Sequence, residues 1–133
     1  MNKITIALTA ATAILAAPAV YARDKLSGEE KLAKLLEGRE AGEPVDCISL
    51  HKSHDARIID ETAIVYGSGT TIYVNRPINA DSLDDDEVMV TKLHTGRLCR
   101  LDTVRLHSRS GLFFSGFVGL EQFVPYRRVA LAD

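Results

Sequence analysis

The sequence of 133 residues contains no tryptophan and only two cysteines, and aromatic residues make up 6% of it. So few cysteines exclude a domain held together by many disulfides, and the 46% hydrophobic content excludes a disordered or collagen-like chain. Charge of one sign is also lacking, since 16 basic residues stand against 18 acidic ones. Because phosphate-binding proteins usually carry a strongly basic surface, nucleic acid is not predicted as a partner.

A hydrophobic run long enough to span a bilayer is lacking too. Residues 4–17 form an uncharged run of 14 mostly apolar residues after Lys3, whereas a membrane anchor needs about 20. Pro18 breaks this run, and Val20 and Ala22 are the small residues that signal peptidase accepts. We therefore predict a signal peptide over residues 1–22, cleaved after Ala22, which leaves an exported chain without a transmembrane segment. The periplasm is the expected compartment, with secretion as the alternative.

Motifs of hydrolases and phosphate-binding enzymes are lacking as well. The chain has no G-x-S-x-G turn, no glycine-rich phosphate loop and no S-x-x-K pattern. We therefore predict no catalytic residue and no cofactor. Asp55, His94 and Ser115 have the residue types of a catalytic triad, but no motif selects these three from the many such residues in the chain. An enzyme stays an alternative, because a triad is recognised by its geometry.

The two cysteines, Cys47 and Cys99, are predicted to form a structural disulfide, since export places them in an oxidising compartment. A loop of roughly 50 residues would make that bond worth about 4 kcal/mol. The C-x-x-C spacing of thioredoxin-like pairs is absent. A free catalytic thiol and two unpaired buried cysteines are the alternatives.

Residues 23–44 are predicted to form a short helix and a linker. Ser27 and Glu30 have the spacing of a capping box, and leucines 32, 35 and 36 follow at helical spacing. Gly38 is suited to end this helix, which we expect over residues 28–37. The glycines, charges and proline of residues 38–44 are typical of a linker.

Residues 45–133 are predicted to form one β-rich domain. Short runs of β-branched and aromatic residues, separated by turn formers, lie at 45–50, 57–59, 62–66, 71–75, 88–93, 103–107, 112–120 and 123–126. Gly67-Ser68-Gly69 is the clearest hairpin signal. About seven strands without intervening helices predict a mainly β fold, a small antiparallel barrel or sandwich with one short N-terminal helix.

Two polar segments carry residues of the types that bind metals. His51, His54 and Asp55 share one loop and could ligate zinc or copper, although four ligands or an H-E-x-x-H helix are not present. An acidic run consists of Asp81, Asp84, Asp85, Asp86 and Glu87. It could hold calcium but lacks the glycine of an EF-hand loop. We predict no metal site in either segment, and expect solvated loops.

The near-neutral total charge conceals a division along the chain. Residues 23–87 carry 8 basic and 15 acidic side chains, whereas residues 88–133 carry 7 basic and 3 acidic ones. In the strand at 103–107, alternation places Arg105 and His107 on the face opposite to Val104 and Leu106. Further arginines of this half are Arg97, Arg100, Arg109, Arg127 and Arg128. Arg105 and His107 are therefore candidates for a surface that binds an anion, and ordinary solvated strand faces are the alternative.

Residues 112–120 are apolar on both faces of the predicted strand. Such a segment is typical of a central strand covered on both sides, and the leucines of the helix could cover it. The alternative is an exposed aromatic ridge that binds a partner, with Phe113 and Phe117 as its candidate residues.

The order of motifs over residues 45–126 resembles a family of small exported bacterial β-rich proteins of unknown function. The motifs are Cys47-Ile48, Ile58-Ile59-Asp60 followed by Thr62, Tyr73 followed by Asn75, and Cys99 followed by Asp102-Thr103-Val104. Many relatives carry a further cysteine after the Y-x-N strand, where this chain has Ile78-Asn79-Ala80-Asp81. The resemblance implies no activity, cofactor or partner.

Taken together, these features favour a non-enzymatic interaction or structural module of the bacterial envelope. Its partner would be an envelope protein or an anionic envelope component. A small metal-dependent or hydrolytic periplasmic enzyme and an anion-binding or inhibitor-like domain are the alternatives.

Overall fold

A computed structural model describes residues 25–130, so the predicted signal peptide lies outside the described residues. The elements in chain order are α1 (Gly28–Leu35), β1 (Arg39–Ala41), β2 (Cys47–Ser49), α2 (Leu50–Ser53), β3 (Ala56–Ile59), β4 (Ala63–Tyr66), β5 (Thr71–Asn75), a 3-10 helix (Ala80–Ser82), β6 (Glu87–Thr91), β7 (Arg97–Cys99), β8 (Thr103–Ser108), β9 (Phe114–Gly119) and β10 (Phe123–Arg128). Within residues 25–130, no helix has the length and apolar character required to cross a bilayer.

The strands form three antiparallel sheets with the orders β1-β10-β5-β4-β3, β2-β7 and β6-β8-β9. Buried side chains from the three sheets meet in one core, which includes Ile64, Leu98, Val104, Val118 and Phe123. The mainly β fold is confirmed, in its sandwich-like form. No closed barrel forms in the described part of the chain, because each sheet order ends in two edge strands.

The strand that is covered on both faces is β4, where all four residues are buried. Ile64 and Tyr66 belong to the core between the sheets, whereas Ala63 and Val65 belong to a second cluster under α1. The prediction of a central, covered strand at residues 112–120 is wrong, since β9 lies at the edge of its three-stranded sheet. Leu32 of α1 packs against the five-stranded sheet and not against β9.

Helix α1 confirms the capping box, because Ser27 accepts from the Glu30 amide and Glu30 accepts from the Ser27 amide. The helix ends at Leu35, slightly before the predicted residue 37, and Gly38 follows with a φ of 72°. Gly28 lets the helix start lie against the β3–β4 turn, since a Cβ there would overlap Oγ1 of Thr62. These contacts hold a helix that would be too short to persist alone.

Three short elements differ from the sequence prediction. Strand β1 lies within the segment predicted as a linker and pairs with β10. Helix α2 occupies the start of the predicted histidine loop, and β7 forms at residues 97–99, where no strand was predicted. Both strands depend on a partner distant in the chain, which local composition does not reveal.

The predicted disulfide between Cys47 and Cys99 is present, and it joins β2 to β7 at directly opposed positions. The two cysteines are 52 positions apart in the sequence, and strands β3 to β6 lie between them. The alternatives of a free thiol or two unpaired cysteines are therefore excluded.

Polar side chains, one of them fully buried, hold the turns between strands. The amide of Asn75 is fully buried, donates to the Glu121 carbonyl at 2.6 Å and accepts from the Glu121 amide at 3.0 Å. Asp102 accepts from the Cys99 amide at 2.8 Å, and Asp60 accepts from the Asp85 amide at 3.1 Å. The polar residues of the family-like motifs thus have structural contacts.

Replacing both cysteines by serine should lower the free energy of unfolding by about 4 kcal/mol, because the unfolded chain regains the entropy of its large loop. Urea denaturation of the oxidised protein and of the C47S/C99S variant measures this difference. Addition of a thiol reductant should destabilise only the protein with both cysteines. Equal midpoints with and without reductant would contradict the prediction.

The Asn75→Ala substitution should destabilise the fold by at least about 2 kcal/mol, since the Glu121 amide and carbonyl lose their partner in a buried position. Asn79→Ala is the matched control. Asn79 makes the same two kinds of bond, to Phe117 and Gly119, but it is only half-buried, so water can replace it. Denaturation midpoints should fall much further for Asn75→Ala, and an equal loss in both variants would contradict this account.

Candidate binding surface

The outward-facing side of the β6–β8–β9 sheet combines aromatic and basic side chains. The registers place Val90, Arg105 and Phe117 in one row across the three strands. The next row contains Val88, His107 and Phe114. We call these six residues the outer face. Val104 and Leu106, which alternate with Arg105 and His107, are buried on the other side, as the alternation in β8 predicted.

A β-bulge puts both phenylalanines of β9 on this face. Phe114 and Phe117 are three residues apart, so regular alternation would point them to opposite sides. The register shifts between Leu106 and His107, which leaves Ser115 as an extra residue in β9. The hydroxyl of Ser115 donates to Oε1 of Glu87, which alternates with the outward-facing Val88. The Ser115 hydroxyl therefore lies on the side of the sheet opposite to the outer face, although the residue is exposed, and Phe114 packs edge-on against His107 with ring centroids 5.9 Å apart.

Three of the four phenylalanines are solvent-exposed, and they lie close together in the chain. Phe113, Phe114 and Phe117 are 75%, 59% and 58% exposed, whereas Phe123 is completely buried. Leu112, also exposed, precedes them in the turn between β8 and β9. Three consecutive large apolar residues at one turn form an apolar surface that a monomer in water rarely leaves uncovered. We call residues 112–114 the apolar tip.

Positive charge borders the aromatic residues. A shallow groove of about 520 Å³ is lined by Thr103, Arg105, Phe114 and Phe117. Arg105 also lines an adjacent depression of about 650 Å³ together with Lys92 and His94. Within residues 25–130, neither Lys92 nor Arg105 forms an ion pair. Their charges are therefore available to an anionic partner.

Four residues were singled out in the sequence as interaction candidates. The structure brings Arg105, His107 and Phe117 together on the outer face and places Phe113 in the adjacent apolar tip. Sequence reasoning missed Phe114, because the bulge that turns it outward depends on the pairing with β8. It also missed Lys92 and His94, which no local pattern connects to Arg105.

The wider arginine group of the sequence does not form one surface. Arg127 and Arg128 lie on β10 in the five-stranded sheet. Arg100 pairs with Glu121 and Arg109 with Asp86, each at 3.7 Å. The basic patch is therefore smaller than the sequence suggested, because strand topology divides the arginines among all three sheets, with Arg97 on β7.

The residues considered for zinc or copper do not assemble a ligand set. His51 lies in α2 and His54 follows it, both exposed, and Asp55 accepts the Gly67 amide through its carbonyl. Among the described residues, the one group of three side chains close enough to share an ion consists of Asp60, Asp84 and Asp85. This group contains no histidine.

The acidic run also serves local structure. Asp60 and Asp84 accept backbone amides of the loop, and Lys31 lies 3.7 Å from Asp85. The side chain of Glu87 does not take part in these contacts and accepts a hydrogen bond from the Ser115 hydroxyl. The hydrogen bonds and the lysine account for the positions of these carboxylates without a cation.

A second concave feature lies between the five-stranded and three-stranded sheets. This cleft has a volume of about 610 Å³ and is bordered by β3 on one side and by β6 on the other. His54 and Arg109 lie at its rim, and Tyr66 lies in its wall. Burial raises the pKa of the Tyr66 hydroxyl far above its usual range, so this side chain stays neutral.

Comparisons with family models, with curated proteins and with solved structures found no match to this chain. Function must therefore be inferred from the residues and their arrangement.

The Phe117→Ser substitution should change the free energy of unfolding by no more than about 0.5 kcal/mol, because its ring is mostly in water. Phe123→Ala should cost about 3–5 kcal/mol, since that ring is wholly buried beside Tyr66. Thermal or urea denaturation of the two variants compares the same residue type in two environments. A large loss for Phe117→Ser would show that its ring has a structural role.

Proposed function

We propose that this protein is a non-enzymatic interaction module of the bacterial envelope that binds anionic membrane surfaces through the outer face and the apolar tip. The observation that carries the proposal is the exposure of three neighbouring phenylalanines beside basic side chains that form no ion pair with any residue of 25–130. Export to the periplasm after cleavage at Ala22, and membership of the small exported family, belong to the same proposal. The Cys47–Cys99 disulfide supports export, since such bonds persist in oxidising compartments.

The apolar tip supplies the hydrophobic part of binding. Leu112 and Phe113 lie in the turn before β9 and Phe114 begins that strand, so their side chains can enter the interfacial region of a bilayer without unfolding the sheet. Complete burial of one such side chain is worth about 1.5–3 kcal/mol. Phenylalanine and leucine are also typical of the apolar side of segments that bind at the membrane interface.

The basic side chains supply the electrostatic part. Arg105 lies directly across from Phe117 in the sheet, and Lys92 lies beside Arg105. A lysine or arginine near an anionic membrane contributes about 1 kcal/mol. Since both side chains are without ion-pair partners in the described part of the chain, no existing bond opposes this contact.

A membrane surface fits the shape of this region better than a small anionic ligand does. The groove beside Phe114 and Phe117 is open and shallow, so a small ligand bound there would stay largely in water. The apolar tip is at a turn and is exposed over consecutive residues, as expected of a segment that meets a broad surface. A protein partner on the outer face is the alternative outcome of the experiment below.

The absence of tryptophan makes a direct test possible. With Phe113→Trp as the reporter, we expect the indole emission to shift to shorter wavelength when vesicles of phosphatidylcholine and phosphatidylglycerol are added. Pure phosphatidylcholine vesicles should have a much weaker effect, and added salt should reduce the shift by screening the charges. An indole emission that stays unchanged with anionic vesicles would overturn the proposal.

Co-sedimentation with the same vesicles tests the individual residues. Arg105→Glu should weaken binding roughly tenfold or more, since reversing one charge near the membrane costs about 2 kcal/mol. Val129→Ser is the matched control for Phe117→Ser, because Val129 is exposed but follows β10 in the other sheet. Equal vesicle binding by the Phe117→Ser and Val129→Ser variants would show that the outer face does not contact the membrane.

A further inference from the structure

The cleft between the two larger sheets is bordered by strand edges and not by sheet faces. Ala56, Arg57 and Ile58 of β3, which point alternately to opposite sides of their sheet, all line it, and the same is true of β6 from Glu87 to Met89. Within residues 25–130, β3 pairs only with β4 and β6 pairs only with β8. The cleft therefore has the backbone of an edge strand on each of its two long sides.

The two edges run in opposite directions. Asp60, which follows the end of β3, accepts the amide of Asp85, which lies just before β6, at 3.1 Å. The Glu61 amide also donates to the Leu83 carbonyl at 2.9 Å. These bonds close one end of the cleft and place the end of β3 beside the start of β6. A strand lying between the edges would be antiparallel to one and parallel to the other.

One carboxylate oxygen of Glu87, a residue that lines this cleft, has no hydrogen-bond partner in the described part of the chain. Oε1 of Glu87 accepts from the Ser115 hydroxyl, but Oε2 is buried and, among the described residues, receives no hydrogen bond. A buried carboxylate oxygen without a donor costs free energy, so the site favours a ligand that brings a donor, above all a charged one. The other charged groups at the cleft are Asp85, Arg57, Arg109 and His54. Arg109 is directed to Asp86, at 3.7 Å.

We infer that the cleft binds an extended peptide segment carrying a lysine or arginine, which adds a strand between β3 and β6 and directs its basic side chain to Oε2 of Glu87. The edges contain four and five residues, so a segment of similar length fits them. Backbone hydrogen bonds provide the binding, as in other cases of strand addition, and Glu87 provides the selectivity. This site shares only Val88 with the outer face, and a bound segment would join the five-stranded and three-stranded sheets.

The probe is a mixture of acetylated, amidated hexapeptides with lysine fixed at the third position and valine, threonine or serine elsewhere. Added to the oxidised, isotope-labelled protein, it should shift the amide resonances of residues 56–59 and 87–91 and slow their hydrogen exchange about tenfold. The same mixture methylated on alternate backbone nitrogens should not bind, because it cannot complete both ladders. No perturbation of either edge at millimolar peptide, or equal binding by the methylated mixture, would overturn the inference.

The role of Glu87 is tested by its selectivity. Wild-type protein should bind the lysine mixture about tenfold more tightly than a matched glutamate mixture, and Glu87→Gln should largely abolish this preference. Glu40→Gln is the control, since Glu40 is exposed on β1 in the other sheet. If Glu87→Gln does not fold, the lysine, glutamate and methylated mixtures on the wild-type protein still decide the question. A preference that survives Glu87→Gln would refute the assignment of this carboxylate.

Phe117→Ser separates this site from the proposed membrane contact. The substitution should weaken vesicle binding and leave peptide binding unchanged, because Phe117 does not line the cleft. Peptide-induced shifts confined to Phe114 and Phe117 would place the peptide on the outer face and refute the cleft as its site.

Discussion

One extra residue in β9 determines how the three-stranded sheet presents its side chains. The bulge at Ser115 turns Phe114 to the same side as Phe117 and directs the serine hydroxyl to Glu87 on the other side. A regular strand would have placed one of these rings against the core. The aromatic residues on one side of the sheet and the Glu87 contact on the other therefore depend on the same bulge. Bulges often change the direction in which a side chain of a β-sheet points.

The rest of the architecture keeps that sheet in place without covering it. Helix α1 packs on the far side of the five-stranded sheet, so the helix leaves the outer face exposed. Asn79 occupies part of the β9 edge by donating to Phe117 and accepting from Gly119. The disulfide joins the separate pair β2 and β7 at the core. The proposed membrane contact and the proposed peptide site consequently share only Val88 and can be altered independently through their other residues.

Local sequence was a good guide wherever the relevant contacts are near in the chain. The capping box at Ser27, the hairpin at residues 67–69 and the alternation in β8 were all predicted, because neighbouring residues decide each of them. The segment at 112–120 shows where such reasoning fails. An apolar segment of this kind is compatible with a covered central strand and with an exposed edge strand. The two cases differ in how many strands pair with the segment, and β9 pairs with β8 and with no second strand among the described residues. The arginines, likewise, were divided between sheets by a topology that their spacing does not encode.

By itself, the sequence determined the mainly β composition of the fold, the single short leucine-faced helix and the availability of one cysteine pair, since periodicity and composition act over a few residues. Tertiary structure decided which strands became edges, which phenylalanines reached solvent and which carboxylate lost its partner. Those outcomes depend on hydrogen-bond registers between distant segments, and a shift of one residue changes the face of every side chain that follows. For this reason both proposed binding sites became visible only in the folded chain.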